Sequence, residues 1–223
     1  FAVGVPSAVL TGLFDLANIF LNSLAASHGD LELAAIGIVM KAERLPNAVN
    51  IGVCQGMLPL VAYNYASGNF NRMNETIRTA RLWGLGIAAA SLALFEAFAP
   101  GIVHIFLSTS TGNVANSTAT IAFAAVFLRI RCAASVPQFL NYSTSFCLQA
   151  VGDGRDTLLH AVVRELVFYI PFMYLLNSLF GIYGLVSALL AGETFGAVFA
   201  SLLLARWKRR NAAAERGGSL PSD

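Results

Sequence analysis

The sequence predicts an all-α, polytopic membrane protein with six transmembrane helices. Three observations carry that reading. The 223 residues are 57% hydrophobic and only 12% charged, with a mean hydropathy of +0.67; soluble domains carry about 25% charged residues. Apolar runs long enough to cross a bilayer, which takes ~20 helical residues, recur between short polar turns. Lysine and arginine between these runs occupy alternate turns only.

The first span covers residues 4–26 and is closed by Ser27, His28, Gly29 and Asp30. The second, 31–66, is too long for one straight crossing, so a bend is expected at Pro46, with Lys41, Glu43 and Arg44 facing protein or water. Gly52 and Gly56 stand four apart on one face, where a neighbouring backbone could approach closely. Pro59 removes a backbone donor and bends the helix further, and Tyr63 and Tyr65 fall at headgroup level. Turn-forming residues 64–69 then stop the span. An amphipathic stretch, 71–81, leads into the third span, 82–106, followed by a polar, uncharged loop at 108–117. The fourth span, 118–151, is again long and bent, at Pro137. A turn at 152–156 precedes the fifth span, 158–179, and a turn at 181–184 precedes the sixth, 184–207. The tail, 208–223, is basic and polar and is expected to be disordered. The chain opens on Phe1, already inside an apolar run, which predicts that a further portion precedes it.

Arg72, Arg78 and Arg81 lie between spans two and three, Arg155 between four and five, and Arg206, Lys208, Arg209 and Arg210 after span six. The turns after spans one, three and five carry none. The positive-inside rule therefore puts both ends of the chain in the cytoplasm of a multi-pass cell-membrane protein, with Trp83 and Trp207 as interfacial anchors. The net charge of +2 and the dispersal of the arginines exclude a nucleic-acid partner. Cys54, Cys132 and Cys147 fall in apolar runs at no metal-ligand spacing and read as packing residues. With no phosphate loop and no nucleophile–base arrangement, neither an enzyme, an ATP-driven motor nor a resident metal or cofactor is expected.

Charges within the spans are the functional candidates. Asp15 sits near the middle of span one, where an aspartate costs about 2.5–3.5 kcal/mol. Thr11, Asp15, Asn18 and Asn22 share one helical face, an oxygen-rich stripe suited to a proton or a hard cation such as sodium; the alternative is an interhelical hydrogen-bond patch. Glu193, halfway along span six, either lines a cavity or accepts a hydrogen bond from a neighbour, and Gly192, Gly196 and Ala200 beside it favour close packing. Glu96 reads as structural. Arg129 and Arg131 cannot share a face, and the adjacent Arg164 and Glu165 are expected to diverge, one of each pair bonding within the bundle. His104 and His160 read as wet interfacial residues.

Several segments together resemble the multidrug and toxic compound extrusion (MATE) transporters. Residues 52–73 are similar to the family's glycine-faced, proline-bent span ending in a small-residue turn, with residues 66–69 in place of the usual Gly-Ala pair. Residues 148–156 look like its Q-A-x-G-x-x-[KR] turn, and Arg164 to Pro171 resembles its R-x-x-x-x-x-x-P pattern. The resemblance implies the carboxy-terminal six-helix lobe of a two-lobe transporter whose amino-terminal lobe is missing here. It implies exchange of a proton or sodium ion for an organic, often cationic, substrate by alternating access. Leu13, Phe14 and Asp15 resemble the acidic site of one branch, marking Asp15, Asn18 and Asn22 as cation-coupling candidates. Where that branch has a second acid, this chain offers Gln138, Asn141 and Tyr142, which join Glu193 as candidates for the substrate cavity. The rival readings are a flippase of lipid-linked precursors, which would line the cavity with arginines, and a non-transporting structural membrane protein.

Overall fold

The computed structural model describes residues 4–107 and 118–217, so the loop expected at 108–117 and the last residues of the tail lie outside it. The described residues are helical, with the elements α1 (Gly4–Ala26), α2 (Asp30–Ala42), α3 (Arg44–Ala66), α4 (Phe70–Leu107), α5 (Thr118–Cys132), α6 (Ser135–Ala150), α7 (Gly154–Val162), a π-helical segment (Val163–Tyr169) and α8 (Ile170–Gly217). They form six rods: α1; α2 with α3; α4; α5 with α6; α7 with the π segment and the start of α8; and the remainder of α8. By length and composition, three continuous helical stretches can cross a membrane, and the bent α5–α6 pair makes a fourth. One stretch, Gly154–Arg210, folds back on itself at Gly181, whose φ of 59° and ψ of −140° suit glycine alone, so that Gly192 packs on Tyr169 and Gly196 on Arg164. The tail expected without structure continues α8 as far as Gly217. Its alanines, Ala212 to Ala214, have the highest helix propensity of any residue.

The expected bend at Pro137 occurs one turn ahead of the proline, and at Pro46 the helix is interrupted at the same offset without a comparable bend. Proline has no N–H and its ring crowds the carbonyl four residues back. Pro46 thus frees the carbonyl of Ala42, and the helix breaks at Glu43. Pro137 frees that of Ala133, and α5 and α6 meet at 45° across Ala133 and Ala134. Pro59, by contrast, lies inside the continuous helix α3.

The largest core cluster joins α1, α2, α4, α5 and the α7–α8 hairpin through residues such as Leu21, Ile36, Phe127, Leu128, Met173 and Leu185. A second, around Met57, Val61, Ile77, Leu148 and Trp207, closes the end where α3, α6 and α8 finish. Trp207 therefore departs from its expected place as an anchor. It is buried, with its ring 6.1 Å from that of Tyr65, because this cluster supplies more apolar contact than a headgroup layer would. Trp83 and Tyr63 stay exposed. Gly52 and Gly56 do share a face, but among the described residues no atom beyond their own stretch of helix lies within 4 Å of where their side chains would start. The close approach expected there has no partner within the described residues, and the face is open.

Candidate functional site

The stripe on α1 is open as well. Asp15 and Asn22 are exposed and Asn18 is half-buried; Asn22 donates to the Asn18 carbonyl at 2.9 Å. Phe14 and Asn18 form one wall of a cleft of about 20 Å³, whose other walls include Glu43, Asn47, Arg131, Ser135, Gln138 and Tyr169. Of the sequence candidates, the structure therefore brings Asn18 and Gln138 together at one cleft, with Asp15 on the adjoining open face. The cleft lies where the two proline-broken rods cross.

At that crossing Arg131 donates through Nε and Nη2 to Oε2 and Oε1 of Glu43, both at 2.7 Å. The Tyr169 hydroxyl also bonds Arg131. A fork onto a carboxylate is the strongest geometry an arginine has, and it pins the two breaks to one another. Arg129 points outward to Glu96 at 3.7 Å, both half exposed. Arg129 and Arg131 thus occupy different faces, as their spacing requires.

Deeper in the bundle lies a polar layer that the sequence only partly announces. Arg164 reaches Oε1 of Glu165 at 2.8 Å and Oε1 of Glu193 at 3.5 Å. All three side chains are at most 4% exposed. Adjacent residues on an α-helix point about 100° apart, so Arg164 and Glu165 are expected to diverge. The π-helical turns from Val163 to Tyr169 carry an extra residue each and turn both side chains inward, correcting that expectation. Glu193 accepts from Nδ2 of Asn141 at 2.6 Å and does not stand on an open wall. Tyr142 is buried beneath the Arg164 guanidinium, 5.1 Å from ring centroid to carbon. Gly196 makes the approach possible: a Cβ there would lie 3.2 Å from both Arg164 and Asn141.

His160 is fully buried, not wet. A carboxylate only accepts, so Asn141 turns its amino group to Glu193 and its oxygen to His160 Nε2, 3.1 Å away. Nε2 must then carry a proton, and Nδ1 shares a hydrogen bond of 2.8 Å with the Ser145 hydroxyl. The imidazole is stacked on Phe199. A signal for this layer was present: folding spans five and six about Gly181 sets Glu193 within about one turn of Arg164.

Broken helices locked at their crossing, a buried ionic layer and one polar face left open define a lobe of a multi-pass membrane transporter. The chain belongs to the MatE family, the MATE transporters, which are not enzymes; the family model matches residues 6–175. It is 28% identical over 204 residues to the multidrug export protein MepA of Staphylococcus saprophyticus, covering 92% of this chain and 43% of that protein. The MepA of Staphylococcus haemolyticus is 26% identical over 210 residues, with 94% and 44% covered. Among solved structures, an outward-facing multidrug resistance MATE family transporter superposes with a TM-score of 0.85 at 22% identity, covering 97% of this chain and 46% of that one. The Vibrio cholerae MATE transporter VcmN in its bent form gives 0.84 at 19%, with 94% and 46% covered. The chain thus spans somewhat under half the length of the relatives it matches.

Proposed function

We propose that this chain is the carboxy-terminal half of a cation-coupled exporter of organic, often cationic, compounds that works by alternating access, with a proton or sodium ion as the coupling ion. Both chain ends lie in the cytoplasm, and the missing half supplies the opposite wall of the cavity. The observation that carries the reading is the open acidic face of α1: Asp15 is exposed beside a cleft lined by Asn18 and Gln138. The names of the staphylococcal relatives, multidrug export proteins, support the substrate class. A carboxylate there can hold either a cation or a cationic substrate, and the two compete by Coulomb attraction. The flippase reading gains nothing from the arginines near the cleft and in the buried layer, since Arg131 and Arg164 are already paired with carboxylates.

The test is Asp15→Asn in the full-length transporter, with efflux and membrane abundance measured together. Abundance should be kept and pH- or sodium-driven efflux lost. Normal driven efflux in that variant would overturn the coupling role of Asp15.

A further inference from the structure

The polar layer inside the lobe does not balance its charge. Around Arg164 stand two carboxylates, Glu165 from the π segment and Glu193 from α8, and one guanidinium. Every other element packed against the layer leaves the count unchanged. Tyr142 from α6 and Tyr169 from the π segment are phenols. His160 from α7 is buried against Asn141 and Ser145 with no carboxylate on either ring nitrogen, so it is counted as uncharged. Arg131 from α5 is spent on Glu43 at the α2–α3 break. With every acid ionised, the layer carries one uncompensated negative charge in side chains at most 4% exposed, and an unpaired charge in such a place is expensive.

Oε2 of Glu193 accepts from Asn141 and Oε1 faces Arg164. Oε1 of Glu165 accepts from Arg164, whereas Oε2 of Glu165 is covered and has no hydrogen-bond partner. We infer that the Glu165–Glu193 pair, clamped by Arg164, binds one proton inside the lobe. Shared by the two carboxyls, it removes the excess charge while Arg164 and Asn141 keep the oxygens they face. A sodium ion does not fit, because it needs several oxygen ligands and the layer offers one uncommitted oxygen. This site is separate from Asp15 on the open face and stands whether or not Asp15 couples transport.

The experiment is infrared difference spectroscopy on the full-length transporter in lipid, titrated from neutral to alkaline pH, with melting temperature followed in parallel. The unmodified protein should show the carbonyl stretch of one buried protonated carboxylic acid at neutral pH, lost on alkalinisation together with a fall in melting temperature. Glu165→Gln should abolish the band and flatten the alkaline fall. Glu193→Gln should do the same, because removing either carboxylate leaves the other balanced by Arg164. Asp15→Asn should leave the band in place. A neutral-pH spectrum without the band in the unmodified protein would overturn the site, as would a band that survives in both glutamine variants.

Discussion

Arg131 and Glu43 meet through two hydrogen bonds of 2.7 Å, and each sits where a proline has broken its helix. The breaks alone would leave two loose hinges; the fork ties them. Arg131 is almost wholly buried and Glu43 about one-fifth exposed at the side chain, so removing one partner strands a charge in the bundle. Glu43→Ala should therefore lower stability by about 3–5 kcal/mol, while the double change Glu43→Leu with Arg131→Met should recover most of it. Thermal melts of the purified protein give the comparison. A double variant as unstable as the single one would mean that the pair does more than balance charge.

Gly196 tests the packing of α8 on the buried layer. A Cβ at this position lands 3.2 Å from Arg164 Cγ and from both amide atoms of Asn141, so these side chains must shift and loosen their contacts with Glu193 and His160. Gly196→Ala should cost about 1–3 kcal/mol, the usual cost of overpacking, and Gly196→Leu should abolish accumulation in the membrane. Fluorescence-detected size exclusion reads both.

How far the sequence could be read depends on the kind of signal. The first span, expected to close at Ala26, does end there, because the polar turn after Ala26 marks that end. The breaks at Pro46 and Pro137 follow from the missing donor, which is a local fact. The inward turn of Arg164 and Glu165 does not, since α and π geometry differ by one residue per turn and the choice is made by packing against Gly192 and Gly196. Trp207 and His160 were misplaced for a related reason. Position along a span can be counted in residues, but facing inward or outward at a given depth is decided by neighbours far away in the chain. Asp15 was legible as a deep acid, and its exposure on an open face was not.

The turn between α6 and α7 separates a cap from an ion pair. Asp153 accepts from the Asp156 N–H at 3.1 Å as the N-cap of α7, and also takes Arg210 at 2.6 Å. Because Arg210 is mostly exposed, Arg210→Ala should change stability by ~0–1 kcal/mol. Asp153→Ala, which also deletes the cap, should cost about 0.5–2 kcal/mol more. Equal effects in chemical denaturation would show that the pair, not the cap, holds the turn.

The orientation can be checked with single cysteines at exposed turns. Ser67 ends α3 and Ser27 follows α1, and both are exposed; the native Cys54, Cys132 and Cys147 are all buried and should stay silent. An impermeant maleimide added to intact cells should label a cysteine at Ser27 and not one at Ser67. Labelling of Ser67 from outside would reverse the topology drawn from the arginines.

Asn141 and Gln138 lie one turn apart on α6, and both are candidates for the substrate cavity. The structure gives them different work. Asn141 is fully buried and joins Glu193 to His160, donating at 2.6 Å to one and accepting at 3.1 Å from the other. Asn141→Ala takes one hydrogen bond from each, stranding Glu193 Oε2 and His160 Nε2, and each such atom costs about 1–3 kcal/mol, more where it is charged. The variant should be scarce in the membrane, and what remains should export with unchanged substrate preference. Gln138 lines the cleft beside Asn18 and makes only a long contact, 3.4 Å, to the Tyr142 hydroxyl. Gln138→Ala should keep normal abundance and shift the relative efflux of large and small cationic compounds. Both quantities come from one experiment, in which efflux of two dyes is normalised to transporter per cell. A Gln138→Ala protein that is scarce, or an Asn141→Ala protein that is abundant with altered preference, would exchange the two roles.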